Sequence, residues 1–243
     1  MRTPLKLLAA AFLLPAIAFA RDDDTLPQVA LPSLVASAAD AQGFVPPGWL
    51  LEYSARGDLD ADRRDDLLLV LRMQDVRNVI HNDGLGVGEF DSNPRLLAVA
   101  FATDAGYRLV LQDDLLVPRP DSPMLDDYLQ GEDAIGIGRG SFFVTLHLWA
   151  SAGTWSTSNT RYTFRYQEGC FRMIGYDYDH THRGSGQTRN LSLNYLTRKA
   201  RIDTGSIEHD EVDTGWKKIP AGPLKCLAEV GNGFEFDPGV ALE

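Results

Sequence analysis

The chain has few of the residues on which catalytic chemistry usually depends. Its 243 residues include two cysteines and five histidines, and they contain no P-loop, no HExxH pair, no CxxC pair and no dinucleotide-binding fingerprint. Positive charge is also scarce, because 23 Lys and Arg stand against 34 Asp and Glu, for a formal net charge of −11. An acidic surface repels the phosphate backbone, so we expect no nucleic-acid partner.

Long apolar runs are absent except at the N-terminus. Two basic residues precede the run Leu7–Ile17, and Ala18–Ala20 supplies the small residues that signal peptidase requires. The run is shorter than the roughly 20 residues that span a bilayer. We therefore expect residues 1–20 to be a cleaved signal peptide and residues 21–243 to be the mature chain. No cysteine follows to carry a lipid, so we expect no membrane anchor and a periplasmic protein, with release outside the cell as the alternative.

Both cysteines, Cys170 and Cys226, lie in the exported part of the chain. An oxidising compartment permits a disulfide between them. The alternative is a pair of free buried thiols. We expect the bridge, because exposed free thiols are a liability outside the cytoplasm.

The hydrophobic pattern predicts a mainly β fold, an antiparallel meander of hairpins with a short N-terminal helix. Apolar residues recur at helical spacing within Leu31–Ala41, and after Trp49 the pattern changes to period two. The domain is either one β-rich unit or two β subdomains, about 44–117 and 131–243. The clearest predicted strands are 49–53, 66–73, 95–102, 107–112, 141–149, 160–166, 170–178, 190–196 and 199–202.

One motif carries recognisable chemistry. Asp58, Asp60 and Asp62 are alternate residues, and Asp66 directly precedes a buried strand. Calcium takes six to eight oxygen ligands at about 2.3–2.6 Å, and carboxylate-rich loops supply them. The spacing therefore predicts a structural calcium site.

The same segment resembles the calcium loop of FG-GAP repeats, which are found in integrin β-propellers and in secreted bacterial proteins. The resemblance covers about 15 residues. It implies side-chain ligation by Asp58, Asp60, Asp62 and Asp66, and ligation by the backbone carbonyl of Arg64. The chain departs from that family at Ala61 and Arg63, where glycine is common. The alternative is a metal-free acidic turn whose aspartates cap backbone groups or pair with arginines.

Two polar loops are candidates for contact with a partner. The first, Asn78–Phe90, is rich in Gly, Asp and Asn, and we single out Asn82 and Asp83 within it. The second, Trp149–Thr160, lies between two predicted strands and contains Trp155, a natural anchor for a protein interface. The alternative for each is an ordinary connecting loop.

A loose resemblance bears on function. The sequence pattern from Arg165 to Lys199 resembles one in exported bacterial β proteins, a group that includes periplasmic immunity proteins. This resemblance implies a non-enzymatic protein that binds another protein, a toxic effector, and that has no catalytic residue. One alternative is an envelope hydrolase that acts on peptidoglycan or polysaccharide through Asp177 and Asp179, where the predicted strand 170–178 passes into a segment interpreted as a loop. The other alternative is a calcium-dependent structural or adhesive module. The sequence leaves the oligomeric state open.

Overall fold

The computed structural model describes residues 26–241, and the predicted signal peptide lies outside them. The described chain forms fourteen strands, joined by turns and three short 3-10 helices. The strands are β1 (Ser37–Ala38), β2 (Trp49–Gly57), β3 (Asp66–Met73), β4 (Val79–His81), β5 (Glu89–Asp91), β6 (Arg95–Thr103), β7 (Gly106–Asp113), β8 (Ile135–Gly138), β9 (Ser141–Leu148), β10 (Ser156–Gln167), β11 (Cys170–His182), β12 (Gln187–Asn194), β13 (Lys199–Ser206) and β14 (His209–Lys218). The 3-10 helices are Gln42–Phe44, Val76–Asn78 and Leu227–Glu229.

The strands form two large sheets and one small one. The five-stranded sheet has the order β1-β7-β6-β3-β2, and β4 pairs with β5 in a separate hairpin. The seven-stranded sheet runs from β14 to β8 in reverse chain order, so it is a plain meander. Every paired strand is antiparallel to its neighbour. The prediction of a mainly antiparallel β fold is confirmed.

The predicted N-terminal helix at Leu31–Ala41 is wrong. This segment runs extended and ends in β1, which pairs with β7. Leu34 is buried against the five-stranded sheet, whereas Val35 is exposed. The Leu34 N–H donates to the side-chain oxygen of Gln112 on β7 at 2.9 Å. The edge of the sheet therefore satisfies backbone groups that a helical turn would otherwise have paired.

Among residues 26–241, no helix is long and apolar enough to cross a membrane.

Strand β3 lies in the middle of the hydrophobic interior. The side chains of Leu67–Leu71 are fully buried, because both faces of the five-stranded sheet are covered. One face, with Leu68 and Val70, shares a core with the inner face of the seven-stranded sheet. The other face packs against the extended N-terminal segment and Phe44. A continuous apolar run is the pattern expected of a strand that is buried on both sides.

A buried ion-pair network closes one end of the five-stranded sheet. Arg95, whose side chain is fully buried, donates to Glu52 from Nε at 2.6 Å and from NH2 at 2.8 Å. Its NH2 also donates to Asp127 at 2.7 Å. Arg72 joins Glu52 at 3.2 Å and Asp91 at 2.8 Å. Asp127 belongs to the connection between the two large sheets, so the network ties that connection to the first sheet.

The two cysteines lie at disulfide distance. Cys170 and Cys226 are bonded, with their Cα atoms 5.9 Å apart and a separation of 56 positions in the sequence. The bridge links the start of β11 to the chain that follows β14. It therefore holds the C-terminal segment, including the buried Leu227 and Phe236, against the seven-stranded sheet.

Candidate functional site

The aspartate loop, residues 58–65, connects β2 to β3. Ala61 and Arg63 adopt left-handed backbone conformations, with φ of 68° and 70°. These are the positions at which FG-GAP loops often carry glycine, and each non-glycine residue there costs roughly 1–2 kcal/mol. Asp58 offsets part of this cost, because its carboxylate accepts the N–H groups of Ala61 at 2.7 Å and Arg63 at 2.9 Å.

Three aspartates of this region converge. Asp58, Asp60 and Asp66 each offer one carboxylate oxygen, and these oxygens lie within 4.8 Å of one another. Two ligands of one calcium ion, each about 2.3–2.6 Å from it, are separated by at most about 5 Å. The separation of the three oxygens is therefore compatible with a shared calcium ion.

Asp66 is the most constrained member of this group. It is fully buried, and its two oxygens accept the N–H groups of Leu59 and Ala102, each at 2.8 Å. Burial raises the pKa of Asp66, the two backbone hydrogen bonds lower it, and the charges of Asp60 and Asp62 raise it further. A bound cation would favour the ionised form that burial disfavours.

Asp62 is directed to an arginine instead of to the other three carboxylates. Its carboxylate accepts from Arg64 Nε at 2.6 Å and from the Arg64 backbone N–H at 2.8 Å. These bonds hold the pKa of Asp62 below its usual value. Arg64 also reaches Asp104 at 3.0 Å. The structure thus brings together three of the four predicted carboxylate ligands and places the fourth on a guanidinium group.

The first predicted contact loop is a β-hairpin, formed by β4 and β5. The Asn82 side-chain amide donates to the carbonyls of Leu85 at 2.9 Å and Val87 at 3.1 Å, which shapes the turn from within. Asp83 lies 3.0 Å from His81 Nε2. The exposed apolar side chain at the tip is Leu85, which is 72% exposed, with Val87 beside it. Asn82 therefore organises the hairpin, and Leu85 offers the apolar surface.

The second predicted contact loop is shorter than expected, because β10 begins at Ser156. Arg183 holds it through the carbonyls of Ala150 at 2.7 Å and Thr154 at 2.8 Å, and the Arg183 backbone N–H donates to the Trp155 carbonyl at 2.8 Å. The guanidinium also lies 4.8 Å from the ring centroid of Trp149. Trp155 is nevertheless 65% exposed. The result is an exposed aromatic side chain on a fixed backbone.

A third segment connects the two loops. Val87 N–H donates to the Pro123 carbonyl at 2.9 Å, and Ser151 N–H donates to the Met124 carbonyl at 2.8 Å. Gly86, with φ of 103°, lies so close that a Cβ atom there would collide with the Pro123 carbonyl. Both predicted contact loops are therefore hydrogen-bonded to adjacent residues of one short segment, and we call residues 78–90 and 149–160 together the loop face.

The seven-stranded sheet carries a polar cleft of about 620 Å³ on the face opposite the core. Residues 179–182, which follow the predicted strand 170–178 and were interpreted as a loop, also belong to β11, and Asp177 and Asp179 line this cleft. Antiparallel register places Arg161 opposite Asp177 and Asn190 opposite Asp179. The charged residues lining the cleft are Asp133, Asp177, Asp179, Asp203, Arg161 and Arg201.

The two central carboxylates of the cleft have different environments. Asp177 accepts from Ser192 Oγ at 2.6 Å. Desolvation by the cleft and the charge of Asp177 raise the pKa of Asp179, and Arg161 partly offsets this rise. The Asp203 carboxylate forms an ion pair with Arg201 at 3.0 Å, so a cation already occupies it. Asp179 therefore keeps its proton to a higher pH than an exposed aspartate does.

Sequence reasoning missed the residues that organise the loop face. Arg183 precedes a Gly-Ser-Gly turn and has no local feature that marks it as the support of a loop some thirty residues earlier. Pro123 and Met124, which accept the hydrogen bonds from the two loops, likewise have no local feature that marks this role. These roles depend on contacts between residues far apart in the chain.

Comparisons with protein-family models, curated proteins and solved structures found no significant match to this chain. Function is therefore argued from the geometry of the loops, the cleft and the aspartate loop.

Proposed function

We propose that this protein is an exported, non-enzymatic binding protein of the periplasm, and that it neutralises a toxic bacterial effector as an immunity protein or inhibitor. The observation that carries the proposal is the loop face, which presents Leu85 and Trp155 on two loops fixed to a common segment. Exposed aromatic and aliphatic side chains on a rigid backbone bind partners at a low entropic cost.

Charge supports a protein partner of basic character. The chain has an excess of acidic residues, with a formal net charge of −11, and loss of the predicted signal peptide removes only basic charge. Such a field accelerates association with a basic protein and disfavours nucleic acid. The hairpin and the Trp155 loop would then supply the central apolar contacts, and the surrounding carboxylates would guide the encounter.

The test is protection from the product of the neighbouring gene. We expect that product to be toxic when it is directed to the periplasm, and we expect co-expression of this protein to restore growth. Trp155→Ala and Leu85→Asp should abolish protection, whereas Leu196→Ala, at an exposed residue in the turn between β12 and β13, should protect fully. A harmless neighbour with which the mature chain forms no complex would overturn the proposal.

We also propose that the aspartate loop binds calcium as a structural ion, with Asp58, Asp60 and Asp66 as the side-chain ligands. The fit of the three oxygens supports this assignment. Asp62 would join them only if it released Arg64. The exposed control is Asp65, which points to no described partner. Calcium should raise the melting temperature of wild type and of Asp65→Ala but not of Asp60→Ala, and an identical melting curve in chelator would contradict the assignment.

A second candidate function rests on the cleft. Glycoside hydrolysis requires two carboxyl groups at one site, and the cleft contains Asp177 and Asp179 on the same strand. Burial raises the pKa of Asp179, as a general acid requires. Under this alternative the substrate is a polysaccharide or peptidoglycan strand. Turnover of labelled peptidoglycan by wild type, lost in both Asp177→Asn and Asp179→Asn, would favour it. No turnover by the wild-type protein would remove it.

A further inference from the structure

The free edge of the seven-stranded sheet has a distinctive order of charges. β14 is the terminal strand of that sheet, it pairs with no strand other than β13 within residues 26–241, and all ten of its residues are exposed. An unpaired edge of this length presents backbone donors and acceptors that another strand can satisfy. Its charged side chains fall into an acidic block, Asp210, Glu211 and Asp213, and a basic block, Lys217 and Lys218.

We propose that this edge pairs with the same edge of a second copy of the chain, antiparallel, about a twofold axis at Thr214. An isologous contact requires a self-complementary surface, and β14 has one. The register places complementary residues opposite each other: Asp210 faces the partner's Lys218, Glu211 faces the partner's Lys217, and Val212 faces the partner's Trp216.

The backbone of β14 is oriented for this pairing. Ile219 N–H donates to the Arg198 carbonyl at 3.0 Å, so the polar groups of Ile219 point toward β13. These groups alternate in direction from one residue to the next along an antiparallel strand. Thr214 is five residues away, so its N–H and C=O point toward the free edge. Two Thr214 residues on the axis therefore form a hydrogen-bonded pair.

The side chains of the central contact are also suitable. Val212 is 56% exposed and Trp216 is 65% exposed, so both have apolar surface that a partner strand would cover. Valine opposite an aromatic residue is a favourable cross-strand pair. A bulge at residues 210–212, opposite Gly205, leaves the acidic charge at the same end of the strand.

Other registers are less complementary. An axis at Asp213 would place two aspartates directly opposite each other, which is unfavourable. An axis at Gly215 would retain only the pairing of Asp213 with the partner's Lys217. An axis between two residues would oppose an outward-pointing backbone group to an inward-pointing one. The charge order therefore selects the axis at Thr214.

The experiment is sedimentation velocity of the mature chain with charge-reversed strands. Wild type should form a dimer. Lys217→Glu/Lys218→Glu, which makes the strand entirely acidic, and Asp210→Lys/Glu211→Lys, which makes its flanks basic, should each raise the dimer dissociation constant at least about tenfold. Mixing the two variants should restore a dimer, now a heterodimer. The control Asp126→Lys/Glu132→Lys, on the exposed connection between the sheets, should dimerise as wild type does.

The register has its own test. Thr214→Cys should cross-link to itself with a short thiol-specific reagent, because only a residue on the axis meets its own copy. Gly215→Cys should cross-link much less. A monomer throughout the micromolar range would overturn the proposal, and so would a dimer that neither charge reversal weakens. Failure of the effector complex would leave these results unchanged, since β14 lies outside the loop face.

Discussion

The two large sheets are built from similar strands but are covered differently. The five-stranded sheet is covered on both faces, so Leu67–Leu71 have no exposed surface and the charges at its end are paired inside the protein. The seven-stranded sheet contributes one face to the core and leaves the other face as a polar cleft. It also ends in a strand, β14, that is entirely exposed.

This difference separates stability from binding. A sheet buried on two sides contributes apolar area but offers a ligand little surface, whereas a sheet buried on one side offers its outer face, its loops and its free edge. Both candidate ligand surfaces of the seven-stranded sheet, the cleft and the Trp155 part of the loop face, follow from that exposure. Substitutions in the first sheet should therefore affect folding, and substitutions on the open parts of the second should affect binding.

The largest effect on stability should come from Arg95. Its truncation to alanine leaves Glu52 and Asp127 partly buried without their cation, and removing one partner of a buried ion pair typically costs about 3–5 kcal/mol. Arg201, half-exposed in the cleft, is the matched control. Arg201→Ala should change the free energy of unfolding by less than about 0.5 kcal/mol. Urea denaturation at pH 7 measures both, and equal costs would remove the distinction between the sheets.

The disulfide should have the next largest effect. Cys170→Ser/Cys226→Ser frees the C-terminal segment that packs on the seven-stranded sheet, and we expect a loss of about 2–4 kcal/mol. Oxidised wild type should lose a similar amount in reductant, while the double variant should not respond. A wild-type melting curve that reductant leaves unchanged would show that the hydrophobic contacts alone hold this segment.

Calcium should stabilise the five-stranded sheet, to which the aspartate loop belongs. An ion that binds only the folded state adds about 1.4 kcal/mol at ten times its dissociation constant and about 2.7 kcal/mol at a hundred times. Asp66→Asn should be destabilised even in chelator, because Asp66 also accepts two backbone N–H groups. Asp60→Asn should match wild type in chelator and lose only the calcium response. Equal behaviour of the two variants would contradict the assigned roles.

A smaller, pH-dependent effect should appear at Asp113, at the end of β7. Burial raises the pKa of Asp113 above the value of 3.8 that applies when the chain is unfolded. Its contribution to stability is therefore complete below pH 3.8 and is lost as the pH rises through the folded pKa. The neutral Asp113→Asn variant avoids this loss, so its stability relative to wild type should increase with pH. Exposed Asp126→Asn, whose charge does not contribute to the pKa shift of Asp113, is the control, and parallel pH profiles for all three proteins would show that Asp113 is not responsible.

The local sequence pattern predicted those strands and loops whose distinguishing residues are close together in the chain. β3 was predicted with the bounds that the structure shows, because a strand buried on both faces is an uninterrupted apolar run. The aspartate loop was found because its carboxylates are close in sequence. β14 was not predicted, because its charges obscure any period-two pattern and its exposure removes the need for apolar residues. The helix predicted at Leu31–Ala41 is wrong because its apolar residues have helical spacing by chance, whereas part of the segment pairs with β7.

The candidate sites divide in the same way. The spacing of the aspartates predicted the three that converge. It did not predict that the Asp62 carboxylate pairs with the Arg64 guanidinium, because spacing does not show the direction of a side chain. The cleft was not predicted, because its residues come from neighbouring strands and meet only through register, as Arg161 meets Asp177. Similarly, the support that Arg183 gives to the Trp155 loop required the order of strands to be known.

Affinity for the effector tests the central claim most directly. Calorimetric titration of the mature chain with the purified neighbouring product should show tight binding, and Trp155→Ala should weaken it at least about a hundredfold, as a central aromatic contact does. Leu196→Ala should bind as wild type does, and both variants should melt within a few degrees of wild type because each side chain lies at the surface. If wild type neutralises the product and Trp155→Ala binds that product with the same affinity, the claim that the loop face is the binding surface is contradicted.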